Sequence, residues 1–164
     1  MRYHSFGEGR YVLRLDPGDE VVSALTAFAG EQKVTAGFVT AIGSLDQVVL
    51  GFLDPEEKVY LKRTFDERME IGALNGNFGV DGDKAFVHLH ASVSPRELLT
   101  YTGHVHEARV GVVVEAFVVS WPGRLERAMD PKHGFLRWFF PGEERPKAAS
   151  KSATKTQDEP PLVP

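Results

Sequence analysis

The sequence predicts an α+β domain: a mostly antiparallel sheet, able to curl into a barrel, with one main helix packed on it. Three observations carry this. Short stretches alternate apolar and polar residues. A single segment has clear helical spacing. The stretches are joined by short turns rich in Gly, Pro and Asp, which favour antiparallel neighbours.

The elements follow in order. Tyr11, Leu13 and Leu15 alternate with Val12 and Arg14, a short strand that Asp16-Pro17-Gly18-Asp19 breaks. Asp19 is the expected cap of a helix over 19–30, in which Val21, Val22, Leu25, Phe28 and Ala29 recur at helical spacing before Gly30. Residues 37–42 and 48–53 read as two strands, and Asp54-Pro55-Glu56-Glu57 turns the chain into a third over 59–65. A strand over 69–78 is interrupted by Gly72 and Gly76, where bends or bulges are expected. Asp81-Gly82-Asp83 is a hairpin turn leading to a strand over 85–93. Ser94-Pro95-Arg96-Glu97 fits either a capping box that starts one or two helical turns or a polar turn. Residues 109–121 form the longest expected strand.

The folded domain is expected over 1–140. Residues 141–164 are rich in Pro, Lys, Ser, Thr and Ala, have little to bury, and are expected to form a disordered polar tail.

Composition narrows the chemistry. The 164 residues contain no cysteine, which excludes disulfides, thiolate metal sites and cysteine nucleophiles. Any metal must be held by His, Asp or Glu. A net charge of −4 gives no bulk attraction to nucleic acid. The first residues lack a basic region followed by an apolar run, and the apolar stretch over 110–119 is interrupted by Glu115. The expectation is a cytoplasmic protein with no membrane partner.

Four of the six histidines lie close together in sequence: His88, His90, His104 and His106. In a strand, residues two apart share a face and lie about 6.6 Å apart. His88 and His90 therefore point one way, and Val87, Leu89 and Ala91 the other. Two such imidazoles can converge on one ion, and His104 or His106 can supply a third ligand. Three imidazoles plus water make an open zinc site; other divalent metals accept the same ligands. Glu115, alone within an apolar strand, is read as a candidate acid/base or a hydrogen-bond partner of a histidine, against the alternative of an ion pair or a subunit contact.

These residues resemble the PPC domain family (plants and prokaryotes conserved, also DUF296), the prokaryotic relatives of the plant AT-hook proteins. The resemblance runs over most of residues 5–138. It rests on Gly37-Phe38-Val39-Thr40-Ala41-Ile42-Gly43-Ser44, on the block over 69–78, on His88-Leu89-His90-Ala91-Ser92, on Gly103-His104-Val105 and on the ending over 130–135. It implies a compact α+β domain that associates as a homotrimer. It also implies a metal, zinc in the first place, held by His88, His90 and His104, and leaves His106 unassigned. The family's DNA-binding label implies a DNA partner, yet this chain carries no Arg-Gly-Arg-Pro AT-hook.

Three functions follow as expectations. The first is a trimeric zinc-binding domain that binds or activates a small-molecule ligand. The second is a DNA-binding or DNA-associated regulatory protein. The third is a structural trimer whose exposed Phe52, Phe117 and Trp121 serve subunit packing.

Overall fold

The structure is a computed structural model; it describes residues 1–130, 132–140, 142–144 and 155–158. The strands are β1 (Arg2–Ser5), β2 (Arg10–Leu15), β3 (Gly37–Asp54), β4 (Val59–Phe65), β5 (Met69–Asp81), β6 (Lys84–Ser94), β7 (Tyr101–Ser120), β8 (Glu126–Asp130), β9 (Phe135–Phe139) and β10 (Lys155–Asp158). The helix α1 spans Val21–Glu31, between β2 and β3. The expected α+β architecture is therefore present.

The sheet runs β1-β2-β7-β6-β5-β3-β4-β10, and a further pairing of β7 with β3 closes β3, β5, β6 and β7 into a hydrogen-bonded ring. All pairings within the ring are antiparallel. Helix α1 buries Val21, Leu25, Phe28 and Ala29 against this sheet. Buried strand residues such as Leu15, Leu45, Leu74 and Leu89 complete the core.

The helix cap differs from expectation. Glu20, not Asp19, caps α1: its carboxylate accepts from Val22 N at 3.1 Å and Ser23 N at 2.7 Å. The longer side chain also accepts from Ala108 N at 3.1 Å and so ties the helix start to β7. Asp19 instead accepts from Asp16 N at 2.8 Å within the preceding turn.

The two strands expected at 37–42 and 48–53 are one, β3. Gly43 allows this. Its φ of +142° suits glycine, and a Cβ there would meet Val114 Cα at 2.8 Å. Pairing with β7 shifts register past Gly43, Leu45 and Val49, so the strand bends through bulges instead of ending. The bulge expected near Gly72 is present, between Ile71 and Ala73. Gly76 lies in regular pairing opposite Leu89. The hairpin at 81–84 forms, with Asp81 opposite Lys84. Ser94 to Glu97 start no helix: Leu98 N donates to Pro95 O at 3.0 Å, a turn, and β7 then begins at Tyr101, earlier than expected.

The β8–β9 hairpin was not expected. It continues the sheet at the end of β5, with Val80 opposite Glu126 and Asp81 opposite Arg127 in parallel pairing. Within the expected tail, Lys155–Asp158 pair in parallel with Val59–Lys62. Apart from those residues and 142–144, that expectation lies outside the described residues. Among the described residues, no helix is long and apolar enough to cross a membrane.

Candidate metal centre

Strand alternation delivers the imidazoles. On β6, Val87, Leu89 and Ala91 are buried in the core, so His88 and His90 take the opposite face. The β6–β7 pairing places His90 directly opposite His104. The three rings lie together: centroids are 5.2 Å apart for His88 and His90, 4.9 Å for His88 and His104, and 5.5 Å for His90 and His104. One ring nitrogen from each lies within 4.8 Å of the other two. Nε2 of His88 is 3.0 Å from Nδ1 of His104.

That spacing fits a small divalent ion. Zn–N bonds of about 2.0–2.1 Å put tetrahedral ligand nitrogens about 3.3 Å apart. The His88–His104 pair is already near that separation. His90 is the exposed member.

Electrostatics favours neutral rings. Burial lowers the pKa of His88 to about 4, with Arg127 and His90 adding to it. Burial lowers His104 to about 3, helped by the neighbouring His88 and His106. Both imidazoles therefore keep their lone pairs for a metal well below neutral pH.

His106 shares a β7 face with His104, with ring centroids 4.8 Å apart, but does not join the three. It packs edge-on against Tyr60 at 4.8 Å, and its Nε2 is buried without a hydrogen-bond partner. Burial, with Lys62 nearby, lowers its pKa to about 4. Gly51 makes room for this ring, since a Cβ at that position would meet His106 Cδ2 at 2.8 Å.

Glu115 stands apart from the three histidines within one chain. It lies eleven residues beyond His104 on β7, roughly 36 Å along an extended strand. It is exposed, with Arg14 and Ile42 as its cross-strand neighbours. Within one chain it neither orients a histidine nor acts beside a metal there. The sequence showed an acidic residue in an apolar strand but not that this position faces outward.

Sequence reasoning missed Arg127. The β8–β9 hairpin folds over the histidine face and carries this arginine, only 7% exposed, against His88. Its Nη2 donates to Asn77 Oδ1 at 2.5 Å and to His88 Nδ1 at 3.3 Å; its Nη1 donates to Leu136 O at 3.1 Å. The guanidinium also lies over Phe86 and Trp138. A guanidinium only donates, so His88 Nδ1 accepts and Nε2 carries the ring proton toward His104. Hairpin and histidines enclose a cavity of ≈ 430 Å³ lined by Tyr60, Asn77, Phe86, His88, His104 and Trp138, among others.

Fold and side chains together define a small α+β domain with three convergent imidazoles, two of them covered by a β-hairpin. The Plants and Prokaryotes Conserved (PCC) domain profile matches residues 3–122, and the chain belongs to that family. Among solved structures, it is similar to a metal-containing protein from Archaeoglobus fulgidus (33% identity, TM-score 0.76, covering 85% of this chain and 100% of that one). It is also similar to a Bacteroides thetaiotaomicron protein provisionally labelled DNA-binding (29% identity, TM-score 0.81, covering 85% and 96%). A Pyrococcus horikoshii plant- and prokaryote-conserved protein matches at 25% identity, with a TM-score of 0.74 and coverage of 85% and 93%. A curated relative, the bifunctional protein GlmU of a Synechococcus strain, is 37% identical over 129 residues, 77% of this chain. The chain spans only 20% of that relative's length.

Proposed function

We propose that this domain binds one divalent cation, zinc in the first place, through His88, His90 and His104, and that it works as a homotrimer. The observation that carries the metal reading is the convergence of three ring nitrogens within 4.8 Å on a face with no competing carboxylate in the group. The metal-containing relative supports it.

When bound, the cation supplies Lewis acidity toward an oxygen of a small ligand. The chain's own residues prepare the place. His88 and His104 stay neutral, and the hairpin shields them on the cavity side. Were His88 to hold the cation through Nε2, its ring proton would sit on Nδ1. That tautomer no longer accepts from Arg127.

Trimer formation is supported by apolar side chains on the outward face of β3 and β7. Ile42 is 60% exposed and Phe117 64%, more outward apolar surface than alternation toward water calls for. Metal analysis of untagged protein, combined with native mass, tests both parts. One equivalent of metal per chain in a particle of three chains is expected, with the metal lost in His88→Ala and His90→Ala. Metal-free protein at full occupancy of the fold would overturn the metal reading, and a monomeric mass would overturn the trimer.

DNA association is the second reading, favoured by the label of the Bacteroides relative. A gel shift repeated at rising salt separates it from the first: a DNA role requires binding that persists near physiological salt.

A further inference from the structure

Arg127 is a buried cation without an anion. Among the described residues it forms no ion pair with a carboxylate. Its three acceptors are all neutral: Asn77 Oδ1, Leu136 O and His88 Nδ1. A guanidinium has five N–H donors. Here Nε is buried and has no hydrogen-bond partner. The neighbouring arginine of the same hairpin shows the contrast: Arg137 Nε sits 2.8 Å from Asp130 Oδ2. Taking a charge out of water without a counter-charge is costly, and buried charges are as a rule paired. Burial accordingly lowers the Arg127 pKa.

The cavity that Arg127 lines also takes in Arg137, whose charge Asp130 balances; it has neutral imidazoles on one side and mostly apolar walls from Phe86, Met129, Phe135 and Trp138. A guanidinium without a counter-charge matches a single negative charge, which a carboxylate supplies; with Nη2 held by Asn77 and His88 and Nη1 by Leu136, the second Nη1 N–H is the donor left to meet it. A phosphate dianion would call for more free positive charge than remains once Asp130 pairs with Arg137. We propose that this cavity binds a small organic monocarboxylate, with its carboxylate on Arg127 and its apolar body against Phe86, Met129 and Trp138. That a second oxygen of the same ligand reaches a cation on His88 and His104 rests on the metal reading above; the carboxylate contact does not.

The test uses full-length protein, once stripped of metal with a chelator and once loaded with zinc. Benzoate, its neutral counterpart benzamide, and inorganic phosphate are titrated in turn, followed by calorimetry and by the nitrogen-15 NMR signals of the Arg127 Nε–H and the Trp138 indole. Benzoate is expected to shift both signals and saturate in both forms of the protein, more tightly with zinc. Benzamide is expected to bind at least about tenfold more weakly, the loss expected when a charged hydrogen-bond partner is removed. Arg127→Met is expected to lose benzoate affinity by a similar factor while keeping its zinc content. Equal binding of benzoate and benzamide, preference for phosphate, or unchanged benzoate affinity in Arg127→Met would each overturn the proposal. Should that variant fail to fold, the wild-type comparison of benzoate with benzamide still decides it. Absence of zinc from the wild type would sink the metal reading alone, because the stripped-protein titration stands apart from it.

Discussion

The two halves of β7 share one strand and one alternation, yet they hold opposite kinds of polar residue. The first half lies between β6 and β3 and carries His104 and His106, both half-buried with depressed pKa values. The second half lies between β2 and β3 and carries Glu115 and Phe117 facing outward. The difference comes from what covers each face. The β8–β9 hairpin roofs His104 and Tyr60 of β4 packs on His106, so burial can act on both rings. Among the described residues of the same chain, no such roof covers Glu115. A polar residue in an apolar strand becomes a candidate site only where a second layer removes it from water.

The largest expected effect is at the histidine half. His104→Ala removes the central ring of the three, and metal content measured on the untagged variant should fall from about one equivalent to background. Full retention of metal would break the comparison at its strongest point.

Acid should expose the same contrast in the metal-free protein. His88, His104 and His106 titrate near 4, 3 and 4 when folded, against 6.5 for a free imidazole. The unfolded chain thus binds more protons than the folded one between those values. Stability is fully present above about pH 6.5 and is lost as pH falls through 4 to about 3. Denaturant titrations across that window should show the loss. Replacing His106 by Asn should flatten part of the slope.

At the junction of the two halves, Glu20 binds Ala108 N as well as the α1 N-terminus. Burial raises its pKa, but the hydrogen bonds from Ser23, Ala108 and Val22 outweigh that and lower it. Glu20→Ala should cost about 1–2 kcal/mol in chemical denaturation, the usual range for a lost cap. A cost below about 0.5 kcal/mol would show that the helix does not depend on this tie.

The smallest effect belongs to the outer half. Glu115→Gln should change stability by less than about 0.5 kcal/mol and leave metal content as it was. A loss of metal in that variant would mean that another subunit brings Glu115 to the site, and would redraw the contrast between the two halves.

Much of this was legible beforehand. The period of two placed His88 and His90 on one face and Leu89 on the other, and the Asp81-Gly82-Asp83 turn was read correctly. The helix was found because Val21, Leu25 and Phe28 are an amphipathic stripe. Its cap was misassigned because Asp19 and Glu20 both carry an acceptor, and which one reaches Val22 and Ser23 depends on the turn before them. The division at Gly43 was misread for a related reason: a glycine ends a strand or bends it, and only the β7 partner decides which. The β8–β9 hairpin escaped because Glu126, Arg127 and Ala128 show no strong alternation of their own and take their strand conformation from the end of β5.

Sequence alone determined the local alternation, the face shared by the paired histidines, the amphipathic helix and the absence of any thiolate chemistry, because each follows from neighbours a few residues apart. Only the tertiary structure decided that His104 joins His88, that Glu115 stands far from both, and that Arg127 comes from a separate hairpin to lie against them. Those outcomes depend on which distant strands pair and what covers them, and pairing between distant segments is set by the burial of the whole core, not by any one stretch of chain.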